Sequence, residues 1–90
     1  MEIAQLRHVV DSIDDQILRL LNQRAKVALR IGEEKIKRKL PMVNREREAA
    51  VLSRMIAGNK GPLSNEGVKS VFTSIIETCR NLEASRFERR

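Results

Sequence analysis

Residues 3–38 read IAQLRHVVDSIDDQILRLLNQRAKVALRIGEEKIKR, and this stretch decides the fold. Apolar side chains fall at Ile3, Leu6, Val10, Ile13, Ile17 and Leu20 and resume at Val27 and Ile31. Steps of three and four place them in one stripe of a helix with 3.6 residues per turn. No proline occurs before Pro41. Gly32 costs about 1 kcal/mol in a helix interior, too little to end so well-patterned a segment. One helix from about Ile3 to about Arg38 is expected. At 1.5 Å per residue it is roughly 54 Å long, whereas a compact chain of this size has a radius of gyration of about 12 Å. A monomer cannot cover such a helix, so a second copy of the chain is expected to lie along it.

Two shorter helices follow. Asn44 can cap a segment through Ala57 that Gly58 ends, and Ser64 can cap a third segment running to about Glu83 or beyond. The stripe of the third is Val68, Val71, Phe72, Ile75, Ile76, Cys79 and Leu82. No alternating strand pattern or internal repeat is present, so the class is all-α: one long and two shorter helices in a single domain over residues 1–90. The segment from about residue 84, with Arg86 to Arg90 at its end, reads as a solvated tail or a linker stub.

The sequence contains no 18-residue apolar run and no charged-then-apolar leader, so neither a membrane span nor a secretory signal is expected and the chain is read as cytoplasmic. One cysteine, Cys79, cannot form an internal disulfide and lacks the His and Cys spacing of a zinc site, so no metal is expected. With 18 Lys and Arg against 12 Asp and Glu, the net charge of +6 favours an anionic partner, whether nucleic acid, a lipid surface or a small polyanion.

Several residues break the apolar pattern. Arg24 occupies a stripe position between Ile17 and Ile31. Either its head snorkels to water or to an acidic neighbour, or it faces an anion. Lys35 lies three turns on along the same face, roughly 16 Å away, so both cations can converge on one ligand. Arg7 flanks the stripe but stands roughly 42 Å from Lys35 along the axis, and it can serve such a pocket only from a partner subunit. Asn44, Arg47 and Glu48 share one face of the second helix, either as surface decoration or as a polar site wall. Glu83 follows Phe72, Ile76 and Cys79 in steps of four, three and four. A carboxyl on that face is either the frayed polar end of the helix or a buried group needing a partner or a proton. Cys79 reads as core, since no His neighbours it in sequence to activate it, and His8 falls on the outer face.

Taken in order, Leu6-Arg7, Ile13-Asp14, Leu20-Leu21-Asn22-Gln23-Arg24, Ile31-Gly32-Glu33-Glu34-Lys35, Pro41, Arg47-Glu48, Asn59-Lys60-Gly61-Pro62-Leu63 and Cys79-Arg80-Asn81-Leu82-Glu83 resemble the all-helical chorismate mutase family. The resemblance covers nearly the whole chain. It implies an intertwined six-helix homodimer with two active sites, each taking Arg7 of the partner subunit. It further implies that Arg24 holds a substrate carboxylate, that Lys35 and Glu83 meet the ether oxygen, and that Arg47 and Glu48 contact substrate, the latter at its hydroxyl. Asn44 stands where some members have Asp and Cys79 where others have Ser; both are candidate substrate contacts with altered chemistry. The implied reaction is the rearrangement of chorismate to prephenate in phenylalanine and tyrosine biosynthesis, with no cofactor and no covalent intermediate.

Two other functions compete. Isochorismate pyruvate lyase shares this fold and most of the cations, and the intact Arg47-Glu48 pair favours the mutase. A basic helical dimer binding nucleic acid belongs to another class. Acids interleaved with bases along the first helix, and the lack of Trp and Tyr for base stacking, count against it. Mutase domains of this kind also occur fused to other aromatic-pathway enzymes, so the chain reads equally as a whole protein or as one part of a longer one.

Overall fold

The computed structural model describes residues 1–87. Helix α1 runs Ile3–Lys37, α2 Arg45–Gly58 and α3 Asn65–Phe87. Among the described residues every regular element is a helix, and none is long and apolar enough to cross a membrane.

Each helix end has a local cause. At the start of α1, Gln5 Oε1 accepts from the Glu2 amide at 2.9 Å. At its other end Lys39 takes a left-handed φ of 55°. The Leu40 amide reaches back to the Lys35 carbonyl at 2.8 Å and the Lys39 amide to that of Ile36 at 3.2 Å, a Schellman closure that Pro41 then prevents from reverting to helix. Asn44 caps α2 as expected, its Oδ1 accepting from the Arg47 amide at 3.0 Å. Gly58 is the last helical residue rather than the terminator, and Asn59 takes the C-cap. Asn59 then organises the turn. Its Nδ2 donates to the Leu63 carbonyl and to Asn65 Oδ1, both at 2.9 Å, and its Oδ1 accepts from the Gly61 amide at 3.0 Å. Ser64 Oγ caps α3 through the Gly67 amide at 3.0 Å.

Helix α3 packs against both α1 and α2. The core between them is thin: Ala28, Val51, Val68, Ile76 and Cys79 are buried, and no large side chain among the described residues is fully enclosed. Gly32 is a buried residue of α1 that faces the end of α3. A Cβ there would sit 2.6 Å from Phe87 Cε2, so the missing side chain is what admits the ring. Helix α3 continues through Phe87, beyond Glu83, so residues 84–87 are helical. Phe87 stands one turn beyond Glu83, with its ring packed over Gly32. Residues 88–90 of the expected tail lie outside the described residues.

The chain measures 54 × 24 × 15 Å with a radius of gyration of 16.2 Å, against about 12 Å for a compact chain of this length. The reason is the first half of α1. Ile3, Leu6, Val10, Ile13, Ile17 and Leu20 are each 47–67 % exposed, so the stripe that defines the helix has nothing from its own chain to lie on.

Candidate functional site

Where α3 packs against α1 and α2, side chains of all three helices line an open cleft of about 400 Å³. Arg24 and Lys35 enter it from α1, Asn44, Arg47 and Glu48 from α2 and its cap, and Cys79 and Glu83 from α3. Seven of the residues singled out in the sequence therefore meet in one place. Arg7 does not. It is exposed near the free end of α1, 28 residues before Lys35, and lines no part of the cleft. His8 is also exposed, and Cys79 is a buried free thiol.

The floor is apolar. Val27, Ala28 and Ile31 from α1, Val51 from α2 and Ile76 from α3 set the polar groups against a surface that offers them no hydrogen bonds. Such a lining sharpens electrostatic interactions inside the cleft relative to water.

Lys35 is the most constrained cation. Its Nζ donates to the Met42 carbonyl at 2.7 Å and lies 3.8 Å from Glu83 Oε2, with 20 % and 11 % of the two side chains exposed. Glu83 is buried, so the alternative of a frayed helix end is excluded. Burial pushes its carboxyl above the ordinary carboxylate value. The charge and contact of Lys35, and Arg24 beyond it, pull the other way without cancelling this, and Glu48 adds a further upward push. A carboxyl shifted in this direction spends more of its time protonated, and only in that form does it donate a hydrogen bond.

On the opposite wall Glu48 Oε1 accepts from Arg80 Nη1 at 2.9 Å and from Arg45 Nη1 at 3.4 Å. Asn44 spends its Oδ1 on the α2 cap, so its amide nitrogen is the group left to meet a ligand. Two cleft contacts were not foreseen. The Met42 carbonyl is main chain and leaves no trace in side-chain pattern. Arg80 does carry a signal, since it falls one turn before Glu83 and beside Cys79, which puts a cation at the edge of the face that Glu83 occupies.

Residues 6–84 match the sequence profile of the family described as chorismate mutase type II. This chain belongs to the chorismate mutase type II family. The bifunctional chorismate mutase/prephenate dehydratase of Aquifex aeolicus is 42 % identical over 86 residues, which are 91 % of this chain and 24 % of that protein. The protein of the same name from Neisseria gonorrhoeae is 44 % identical over 77 residues, 86 % of this chain and 21 % of its own length. The chain thus spans about a quarter of the curated relatives it matches. Among solved structures, chorismate mutase (form II) of Thermus thermophilus superposes with a TM-score of 0.89 at 33 % identity, covering 98 % of this chain and 96 % of the other. The three-helix architecture is therefore that of the chorismate mutase type II family.

Proposed function

We propose that this chain rearranges chorismate to prephenate. The observation that carries the reading is the pairing of Lys35 with a buried Glu83, whose carboxyl burial pushes above its ordinary value, in a cleft that also presents Arg24 and Arg47. The reaction breaks a carbon–oxygen ether bond as a carbon–carbon bond forms within one molecule. It needs no nucleophile and no redox partner. It asks instead for a flexible dianion to be held in its reactive conformer, and for negative charge gathering on the ether oxygen to be stabilised.

The residues divide those tasks. Arg24 binds a substrate carboxylate, and Arg47 holds the dianion from the α2 side. Lys35 and protonated Glu83 both donate to the ether oxygen, where negative charge is greatest in the transition state. Glu48 accepts from the substrate hydroxyl, with Asn44 and Cys79 lining the pocket beside it. The surplus positive charge of the chain favours the approach of a dianion.

The working unit is a homodimer. The bare stripe from Ile3 to Leu20 supports this, because so much exposed apolar surface is a normal interface and an abnormal monomer surface. Pairing the two long helices carries Arg7 of the partner subunit toward each cleft, supplying a cation that one chain cannot bring to its own site.

Incubation of the purified chain with chorismate and, separately, with isochorismate, followed by chromatography of the products, tests the reading. Prephenate from chorismate is expected. Pyruvate from isochorismate with chorismate left unchanged would transfer the assignment to the lyase.

A further inference from the structure

Glu48 is held from two helices. Arg80, on α3, donates to its Oε1 at 2.9 Å across 32 residues of sequence, and the two side chains are only 22 % and 21 % exposed. Arg45 approaches the same oxygen at 3.4 Å, but its side chain is 75 % exposed, and an ion pair so open to water contributes little. Both contacts end on Oε1. Arg80 is thus the main restraint on this carboxylate, and it lies on the cleft wall beside the group it restrains.

We propose that Arg80 is a positioning residue for Glu48: gripping Oε1, it turns Oε2 into the cleft as the acceptor for the substrate hydroxyl. The inference rests on the reading of Glu48 given above. Two physical effects make the grip useful. A glutamate side chain left unrestrained loses rotamer freedom when it orders on a ligand, and Arg80 has it ordered beforehand. A carboxylate in a site for a dianion also repels its ligand, and a guanidinium bonded to its far oxygen offsets that charge. Both effects act on the bound substrate and transition state alike, so they belong to affinity more than to the chemical step.

Steady-state kinetics with chorismate on wild type, Arg80→Met, Glu48→Gln and the double variant test this. Arg80→Met keeps the length of the stem and removes charge and donors. It should raise KM about tenfold, as loss of a charge-assisted hydrogen bond does, with kcat changed by about twofold or less. The double variant should be no worse than Glu48→Gln alone, because Arg80 acts through Glu48. Arg80→Lys, which restores a charge and a donor, should recover part of the affinity and serves as the comparison if Arg80→Met does not fold. Losses that multiply in the double variant, or a KM unchanged in Arg80→Met, overturn the inference while leaving the assigned reaction intact. A wild-type chain inert toward chorismate overturns the assigned reaction and the inference with it.

Discussion

Lys35 Nζ stands 3.8 Å from Glu83 Oε2, too far for a hydrogen bond and close enough for a strong Coulombic pull, yet the Glu83 carboxyl is still held above the ordinary carboxylate value. Burial outweighs the neighbouring cation. The native state therefore takes up a proton at Glu83 more readily than the unfolded chain does. The stability gained at this group is full below the ordinary carboxylate range and is lost as pH rises through the raised native pKa. A cleft that tightens its grip on a proton in this way is suited to donating to an oxygen that is turning negative.

Lys35→Ala should lower turnover by about a hundredfold or more, the usual cost of removing a group aimed at developing charge, and Arg24→Ala should lower kcat/KM by about tenfold or more through loss of a charge-assisted bond to a substrate carboxylate. Their effects on the empty protein should differ. Arg24 is held in no ion pair or hydrogen bond among the described residues, so its loss should leave the melting temperature nearly unchanged. Lys35→Ala also forfeits the bond to the Met42 carbonyl, and a modest loss of about 1 kcal/mol is expected there. Circular-dichroism melts beside chorismate kinetics check both. A large loss of stability in Arg24→Ala with turnover intact would return that arginine to a purely structural role.

At Gly32 the sign of a substitution should depend on a residue 55 positions away in sequence. Alanine in a helix interior is favoured over glycine by about 1 kcal/mol, but a Cβ here meets the Phe87 ring at 2.6 Å. Gly32→Ala alone should destabilise the protein by displacing the ring. In a Phe87→Ala background the same change should stabilise it by about 1 kcal/mol. Denaturant melts of the four proteins measure the coupling, and the same sign in both backgrounds would show that the ring is not what excludes a side chain at Gly32.

Site sharing between subunits predicts rescue on mixing. Arg7→Ala and Lys35→Ala chains should each be nearly inactive alone and, when mixed, should form heterodimers in which one site of the two receives both intact residues. Each heterodimer should recover about half of wild-type activity, and a randomly mixed sample about a quarter. Native mass spectrometry counts the heterodimers while chorismate turnover reads the rescue. Heterodimers present without rescue would mean that Arg7 serves no site across the interface.

Much of this was legible in the residue pattern, and for stated reasons. The stripe Ile3 to Ile31 specified α1, Asn44 and Ser64 marked the starts of α2 and α3, and Arg24 and Glu83 stood out because each put a charged group where the period called for an apolar one. Local pattern runs out where the answer depends on how helices meet. The sequence assigned Arg80 no role of its own, because its partner Glu48 is 32 residues away and meets it only when α2 and α3 pack. Arg86 and its neighbours suggested a solvated end, whereas α3 runs through Phe87 and lays that ring over Gly32, 55 residues away in sequence. The contest between burial and Lys35 at Glu83 had no winner in sequence, because its outcome depends on how completely three helices exclude water from one carboxyl.

The most direct measurement is the pH dependence of chorismate turnover in wild type and Glu83→Gln. In the proposed reaction a protonated Glu83 would donate to the ether oxygen and an ionised one would set negative charge beside it. Wild-type kcat should therefore fall as pH rises through the raised pKa of this group, a limb lying above the ordinary carboxylate range. Glutamine donates at every pH, so Glu83→Gln should abolish that limb and hold its rate at high pH. Superimposable profiles for the two proteins would contradict the account, since the donor at the ether oxygen would then not be Glu83.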